Sequence, residues 1–175
     1  MIGTAVWNTY VELGSTAYEQ GYYEMADKML DAALEEAQRL GTRACPVAHI
    51  FNKLAYVYYQ QKNYTKAELV YKRALELYER MPLADDNDVG NLIFNLAELY
   101  FSQRKYQQAL PLYERSLAIE RERLGSDHVL LEKRLVKLSY IYSTQQRFDD
   151  AQKLYSQVKT IREKSKLTFA EKVLR

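Results

Sequence analysis

Apolar and small residues recur along the chain with a long, fixed spacing. A leucine followed by a small residue opens a pattern of small, aromatic and polar positions, and this pattern occurs four times. The eighth position of the four copies is small in each case and is occupied by Gly14, Ala55, Ala97 and Ser139, which lie 41, 42 and 42 residues apart. A fixed period of this size is typical of stacked units, since each unit buries its apolar face only against its neighbours.

Caps and helix breakers divide each copy into two helices. Gly125 stands where the second helix of the third copy should end, and Asp127 is placed to cap the helix that follows. We therefore predict four antiparallel helix pairs, at 5–20 and 23–40, 47–61 and 64–80, 88–103 and 106–123, and 128–145 and 148–165.

These pairs predict an all-α protein, a right-handed α-solenoid of antiparallel helix pairs in a single domain over 1–167. The four repeats are predicted at about 5–41, 46–82, 88–125 and 128–165. Thr168 and Glu171 have the spacing of a capping box, which predicts a separate short helix over 168–175. That helix is expected either to dock elsewhere or to cover the apolar end of the stack, in which case it would use Leu167, Phe169, Val173 and Leu174.

Packing explains why these residue types recur. Small residues at the eighth and twentieth positions allow the two helices of a unit to approach closely, and the twentieth position holds Ala26, Ala67, Ala109 and Ala151. Tyrosine or leucine at the eleventh and twenty-fourth positions fills the space between units. Aromatic side chains bury large areas while their hydroxyls still need a partner or water, so most of the 16 tyrosines are predicted to be structural.

Each copy resembles a tetratricopeptide repeat, a helix–turn–helix unit whose pattern includes Leu-Gly-x-x-Tyr and then Gly-x-Tyr-x-x-Ala. The 42-residue period, the segment at 103–117 and the Leu-Gly-Ser-Asp-His run at 124–128 resemble the long repeats of kinesin light chains and many bacterial proteins. The resemblance covers about residues 7–163. It implies that the chain binds a protein or peptide partner, and it names none.

Composition agrees with a globular helical protein and narrows its partners. The chain is 47% apolar and 27% charged, with a net charge of only +2, which does not suggest a nucleic-acid-binding protein. No apolar run is long enough to cross a bilayer, and the N-terminus lacks the features of a signal peptide, so a cytoplasmic location is expected. A single cysteine, Cys45, excludes an internal disulfide.

Charge is distributed unevenly along the chain. The net charge is −5 over 1–41, +4 over 42–84, −2 over 85–126 and +5 over 127–175. Opposite ends of this kind can orient a dipolar ligand or favour head-to-tail association of two molecules. The same distribution is also compatible with ordinary variation of a protein surface.

Motifs for catalysis are absent from the sequence. There is no glycine-rich phosphate loop, no His-Glu-x-x-His, no Gly-x-Ser-x-Gly and no Cys-x-x-Cys. His49 and His128 lie in different copies, and His128 belongs to the turn between repeats in the family that the chain resembles. We therefore expect a protein that is not an enzyme and that needs neither a cofactor nor a metal.

The resemblance implies a binding groove. In tetratricopeptide repeats the first helix of each unit lines the concave surface, and ligand contacts cluster at its second, fifth, sixth, ninth, twelfth and thirteenth positions. These spacings keep the six positions on one face of a helix. Carried onto this sequence, they predict a peptide-binding groove formed by Asn8, Glu12, Tyr18, His49, Asn52, Lys53, Tyr56, Tyr59, Asn91, Asn95, Phe101, Lys133, Lys137 and Tyr140.

The predicted groove combines three kinds of side chain. Its asparagine amides donate and accept hydrogen bonds, which suits pairing with a peptide main chain. Tyr18, Tyr59 and Phe101 share the twelfth position and predict an aromatic row, as recognition surfaces commonly use. Lysines toward the C-terminal half suit carboxylates or phosphates. Val11 and Ser15 stand where a clamp for a chaperone C-terminal tail would need basic and amide groups, which argues against that clamp.

Three functions follow as hypotheses. The first is an adaptor or scaffold that binds a protein or a linear peptide in the groove. The second is a regulatory receptor whose curvature changes when a small peptide binds. The third is a scaffold that assembles with itself through its acidic N-terminal and basic C-terminal ends, as a homo-oligomer.

Overall fold

The computed structural model describes residues 2–40, 45–80 and 86–173, and within these ranges the regular structure is helical throughout. The helices are α1 (Ile2–Glu19), α2 (Tyr23–Leu40), α3 (Cys45–Gln60), α4 (Tyr64–Glu79), α5 (Asp86–Ser102), α6 (Tyr106–Leu124), α7 (Glu132–Thr144) and α8 (Phe148–Val173), with a short 3₁₀ helix at Val129–Leu131 before α7. The predicted all-α fold of antiparallel helix pairs is confirmed.

Two details at the start of the fourth pair and at the C-terminus differ from the prediction. His128, and not Asp127, caps the 3₁₀ helix, because its Nδ1 accepts a hydrogen bond from the Leu130 amide at 3.3 Å. The prediction of a separate helix from Thr168 is wrong, since α8 continues without a break to Val173. No glycine or proline lies within α8 to end it earlier.

The side chains after Lys166 and the last two residues lie outside the part of the chain that the structure describes. The predicted covering role of Leu167, Phe169, Val173 and Leu174 therefore stays a prediction. The residues group into two compact units, Met1–Asp88 and Val89–Arg175. The single domain over 1–167 also stays a prediction.

In the first unit, α1 packs on α2 and α3 packs on α4, while α3 also contacts α1 and α2. The helices approach closely at small residues: Ala26 and Ala67 are fully buried. A Cβ atom at Gly14 would lie 2.8 Å from Cδ2 of Leu30, closer than van der Waals contact permits. Tyr58 connects the two pairs, since its hydroxyl donates a hydrogen bond to the Tyr23 carbonyl at 3.2 Å.

In the second unit, the pairs are α5 with α6 and α7 with α8. The ring centroids of Phe94 and Tyr113 lie 5.7 Å apart across the first pair. Across the second pair, the Ser139 hydroxyl donates a hydrogen bond to the Ala151 carbonyl at 3.0 Å. These two small residues occupy the eighth and twentieth positions, so the repeat pattern correctly identified a contact between the two helices.

A buried arginine joins α7 to the preceding pair. Arg134 is 6% exposed; its Nε donates to the Ser116 hydroxyl at 2.7 Å and its Nη2 donates to Asn91 Oδ1 at 3.2 Å. Ser116 in turn donates to the Gly90 carbonyl at 2.9 Å. Burial lowers the pKa of Arg134, while the Glu120 carboxylate, 3.6 Å from Nη2, favours its charged form.

Candidate functional site

The predicted groove residues all lie on the first helix of a pair. In the first unit, the exposed members are Asn8, Glu12, His49, Lys53 and Tyr56, and the half-buried members are Tyr18, Asn52 and Tyr59. In the second unit, Asn91, Lys133 and Tyr140 are exposed, and Asn95, Phe101 and Lys137 are half-buried. Because they belong to two separately described units, the predicted continuous groove stays a prediction.

Phe101 is the centre of an aromatic cluster on α5, α6 and α7. Its ring centroid lies 5.4 Å from that of Tyr106 and 5.4 Å from that of Tyr140, and the Tyr106 and Tyr140 centroids are 5.9 Å apart. Tyr113 also belongs to the cluster, since its ring centroid lies 6.2 Å from that of Phe101. Tilted and edge-on rings at these distances attract one another and hold the side chains in defined orientations.

Two predicted lysines lie over this aromatic surface. Lys133 Nζ is 4.8 Å from the centroid of Phe94, and Lys137 Nζ is 4.0 Å from that of Phe101. Both ammonium groups approach the carboxylate of Glu98, at 3.8 Å and 3.5 Å respectively. One carboxylate therefore lies between two cations, so the surface of α5 and α7 keeps a positive charge.

Tyr106 is a residue that the groove prediction missed, whereas Glu98 lies on the face that the prediction describes. Glu98 stands at the ninth position of the groove face and also accepts a hydrogen bond from the Tyr113 hydroxyl. Its place on that face was visible in the repeat pattern, but its partners were not. Tyr106 begins the second helix of its pair, and a hydrogen bond with Tyr140 raises the pKa of Tyr106.

The first unit has a smaller aromatic cluster on α3 and α4. The ring centroid of Tyr59 is 6.2 Å from that of Tyr56 and 6.1 Å from that of Tyr64. Tyr71 on α4 is fully buried. Its burial, with a smaller contribution from the nearby Tyr56 and Tyr59, raises its pKa far above the usual value for tyrosine. Among the described residues its hydroxyl has no hydrogen-bond partner.

Other predicted residues of the first unit are not part of this cluster. Tyr18 packs against Tyr23 at the turn of the first pair, with ring centroids 6.0 Å apart. His49 Nδ1 lies 3.9 Å from Asp88 Oδ2, so the two side chains form an ion pair when the histidine is protonated. The aromatic row predicted from Tyr18, Tyr59 and Phe101 stays a prediction, since its members belong to two units.

No group of three or more histidine, cysteine, aspartate or glutamate side chains is arranged to hold a metal ion within residues 2–40, 45–80 and 86–173. In those ranges, no helix has both the length and the apolar character needed to cross a bilayer.

The chain is similar to several proteins of known structure. The crystal structure of BtubC (BKLC) from P. vanneervenii is 26% identical, with a TM-score of 0.69 over 91% of this chain and 64% of that one. The apo form of RapI is 20% identical, with a TM-score of 0.70 over 95% of this chain and 45% of that one. The chain thus spans less than two thirds of the first protein and less than half of the second.

A third similar structure is a putative kinesin light chain from Podospora anserina with nearly identical TPR-like repeats. It is 19% identical, with a TM-score of 0.61 over 91% of this chain and 76% of that one. No curated protein matches the sequence. The model of the tetratricopeptide repeat matches residues 6–80 and 88–164. Because this match covers most of the chain, the protein belongs to the tetratricopeptide repeat family.

Proposed function

We propose that this protein is a non-enzymatic adaptor that binds a protein or a linear peptide segment on its first helices. The binding face would be formed by α1 and α3 in the first unit and by α5 and α7 in the second. The observation that carries the proposal is the aromatic and lysine surface of α5 and α7. The helix-pair fold and the family membership support it, since tetratricopeptide repeats generally act as non-catalytic scaffolds.

The chemistry of this surface suits recognition. Tyr140 is 50% exposed, although it is held between Phe101 and Tyr106. A large ring that is both fixed and accessible binds a partner with little loss of conformational freedom, and such rings are common anchors at interfaces. Polar groups adjoin the rings, so a peptide bound there finds both apolar contacts and hydrogen-bond partners.

The charges favour an acidic peptide at the second unit. Lys133 and Lys137 share Glu98 as their carboxylate, and a ligand carboxylate placed beside them would restore a balanced pair. The first unit has the opposite character on α1, where Glu12 and Glu19 are exposed and no lysine or arginine occurs. A basic segment of a partner would therefore prefer α1.

Affinity capture from the native lysate followed by mass spectrometry would identify the partner. Titrating that partner against Tyr140→Ala and Lys133→Ala then tests the surface. Loss of an interface anchor costs about 1–3 kcal/mol of binding free energy, with the tyrosine expected to contribute more. Tyr22→Ala and Lys153→Ala are matched controls, because both side chains are exposed and lie on second helices or turns. Full-strength binding by both test variants would exclude this surface.

Glu98→Gln tests the charge of the ligand directly. Glutamine keeps an acceptor for the Tyr113 hydroxyl but removes the carboxylate that competes for the two lysines. A synthetic hexaglutamate peptide should therefore bind Glu98→Gln more tightly than the unmodified protein, and Lys133→Ala less tightly. Equal affinity for all three proteins would contradict an acidic ligand at this site while leaving the aromatic anchors open to test.

A further inference from the structure

One side of α1 exposes residues whose equivalents in the second and fourth repeats are buried. Val6 is 39% exposed, Leu13 is 43% exposed, and Thr9 between them is also exposed. The residues at the same repeat positions are Val47, Ile50 and Leu54 in the second copy and Leu131, Arg134 and Leu138 in the fourth. All six are 9% exposed or less. Val6, Thr9 and Leu13 are called the N-terminal stripe below.

The buried equivalents face the preceding helix pair. α3 contacts α1 and α2, and the 3₁₀ helix and α7 contact α6. Arg134, which corresponds to Thr9, reaches Ser116 on α6 and Asn91 on α5. By the repeat register, the N-terminal stripe is therefore the side of a first helix that packs against another helix pair.

The last helix pair exposes the matching surface. In the third helix pair, some residues lie beside α7. Adding the repeat period of 42 residues gives their equivalents on α7 and α8. Phe94 is 7% exposed and Tyr113 is fully buried, whereas their equivalents Val136 and Tyr155 are 38% and 56% exposed. The C-terminal seat is defined by these and the other equivalent positions: Val136, Tyr140, Phe148, Tyr155 and Arg162.

A cavity opens on the same side of this pair. It has a volume of about 480 Å³ and is lined in part by Val129, Leu130, Val136 and Arg162. Val129 and Leu130 are themselves about half exposed. Large apolar side chains grouped on one surface and flanked by cations are typical of a docking site.

We propose that the N-terminal stripe of one copy of this chain docks on the C-terminal seat of a second copy, in the position that α7 takes on α5 and α6. The repeat register indicates this occupant, because α1 is the first helix of a pair and its packing side is exposed. The charges are complementary as well, since the first 41 residues carry −5 and residues 127–175 carry +5.

Individual positions are compatible with this docking. In the existing contact, Lys137 Nζ lies 3.5 Å from the Glu98 carboxylate. By the repeat register, Lys137 corresponds to Glu12 on α1 and Glu98 corresponds to Tyr140 on α7. Glu12 would thus meet a phenol that can donate a hydrogen bond. In the existing contact, Arg134 lies opposite Glu120. The equivalent residues in the proposed contact are Thr9 and Arg162, which would lie opposite each other. An arginine at position 9 would be repelled by Arg162, and the threonine avoids that repulsion.

The two surfaces are different, so the association is head to tail. A contact of this kind leaves one stripe and one seat unoccupied in every pair of chains, and further copies can add. This separates the proposal from a symmetric dimer, in which the same surface of both copies would be used.

Sedimentation velocity of the 175-residue chain over a wide concentration range provides the test. The average mass should rise with concentration beyond that of one chain. Val6→Glu and Tyr155→Glu should each weaken the association about tenfold or more, because each places a charge in an apolar contact. Leu69→Glu is a matched control, since it also replaces an exposed apolar side chain by a charge but lies on α4, outside both surfaces, and should leave the association unchanged.

Mixing the two variants distinguishes the possible arrangements. Val6→Glu keeps an intact seat and Tyr155→Glu keeps an intact stripe, so an equimolar mixture should form a complex of two chains that grows no further. Circular dichroism of each variant should show unchanged helix content, because both substituted side chains are exposed. A mass of one chain at every concentration, or a mixture that fails to pair, would overturn the proposal.

Discussion

The contact between α1 and α2 depends on the absence of a side chain at Gly14. A Cβ atom there would lie 2.8 Å from Leu30 Cδ2 and 2.9 Å from its Cγ. Leu30 is fully buried, so it has little room to move away. The repeat pattern predicted a small residue at this position, and the structure supplies the neighbour that requires it.

Gly14→Leu is therefore expected to destabilise the protein by overpacking, by about 1–3 kcal/mol in the free energy of unfolding. Urea denaturation followed by circular dichroism measures this change. Ala5→Leu on the exposed side of the same helix is the control and should change stability little. An unaltered midpoint for Gly14→Leu would mean that the assigned repeat register is incorrect.

Arg134 shows what hydrophobic spacing does not predict. It occupies a position that is apolar in the second repeat, where Ile50 is buried. Its guanidinium is accommodated because Ser116, Asn91 and Glu120 surround it with acceptors. These partners come from two other helices, so only the folded arrangement identifies them.

Arg134→Ala should destabilise the protein by about 3 kcal/mol, because it removes one partner of a buried pair and leaves Glu120, whose side chain is 2% exposed, with less compensation. Thermal and chemical denaturation measure the loss. Arg162→Ala is the control: its pair with Glu132 is exposed and should contribute less than about 1 kcal/mol. Restoration of stability when Glu120→Gln is added to Arg134→Ala would confirm the cause.

At the scale of helices, capping signals in the sequence explain both the helix ends that were predicted correctly and the one that was not. The turns are short, and Asn63 caps α4 by accepting a hydrogen bond from the Lys66 amide at 3.3 Å, so helix ends near such signals were predicted within a few residues. The capping-box spacing at Thr168 misled, because it can also occur inside a continuous helix. The aromatic contacts of Tyr140 join three helices, so the spacing within one helix could not predict them.

Removal of the last helix pair is a test of how stability is shared between pairs. A chain ending at residue 126 loses α7, α8 and the buried contact of Arg134 with Ser116. In a repeat array each lost pair removes one interface, so we expect a chain that is still helical by circular dichroism and melts at a lower temperature. Absence of any helical signal would contradict a modular array, and an unchanged melting temperature would contradict the stabilising role of α7.

At the scale of the whole molecule, charge and apolar surface are combined at the two ends of the sequence. α1 carries Glu12 and Glu19 with no basic residue, whereas α8 carries five lysines and the exposed Arg162. Opposite charges accelerate the encounter of two molecules, and apolar contacts determine how long they remain together. The two contributions respond differently to salt, which allows them to be measured separately.

Raising the ionic strength from about 0.02 M to about 0.5 M shortens the Debye length severalfold and should weaken the head-to-tail association of this chain. The effect should be partial, because Val6, Leu13, Val136 and Tyr155 bury apolar surface that salt does not screen. Sedimentation velocity at several salt concentrations measures the association constant. Glu12→Gln should reduce the salt dependence, whereas Glu68→Gln, on α4 and outside both surfaces, should leave it unchanged. Association that strengthens as salt is added would show that the charges do not contribute and that the apolar contact acts alone.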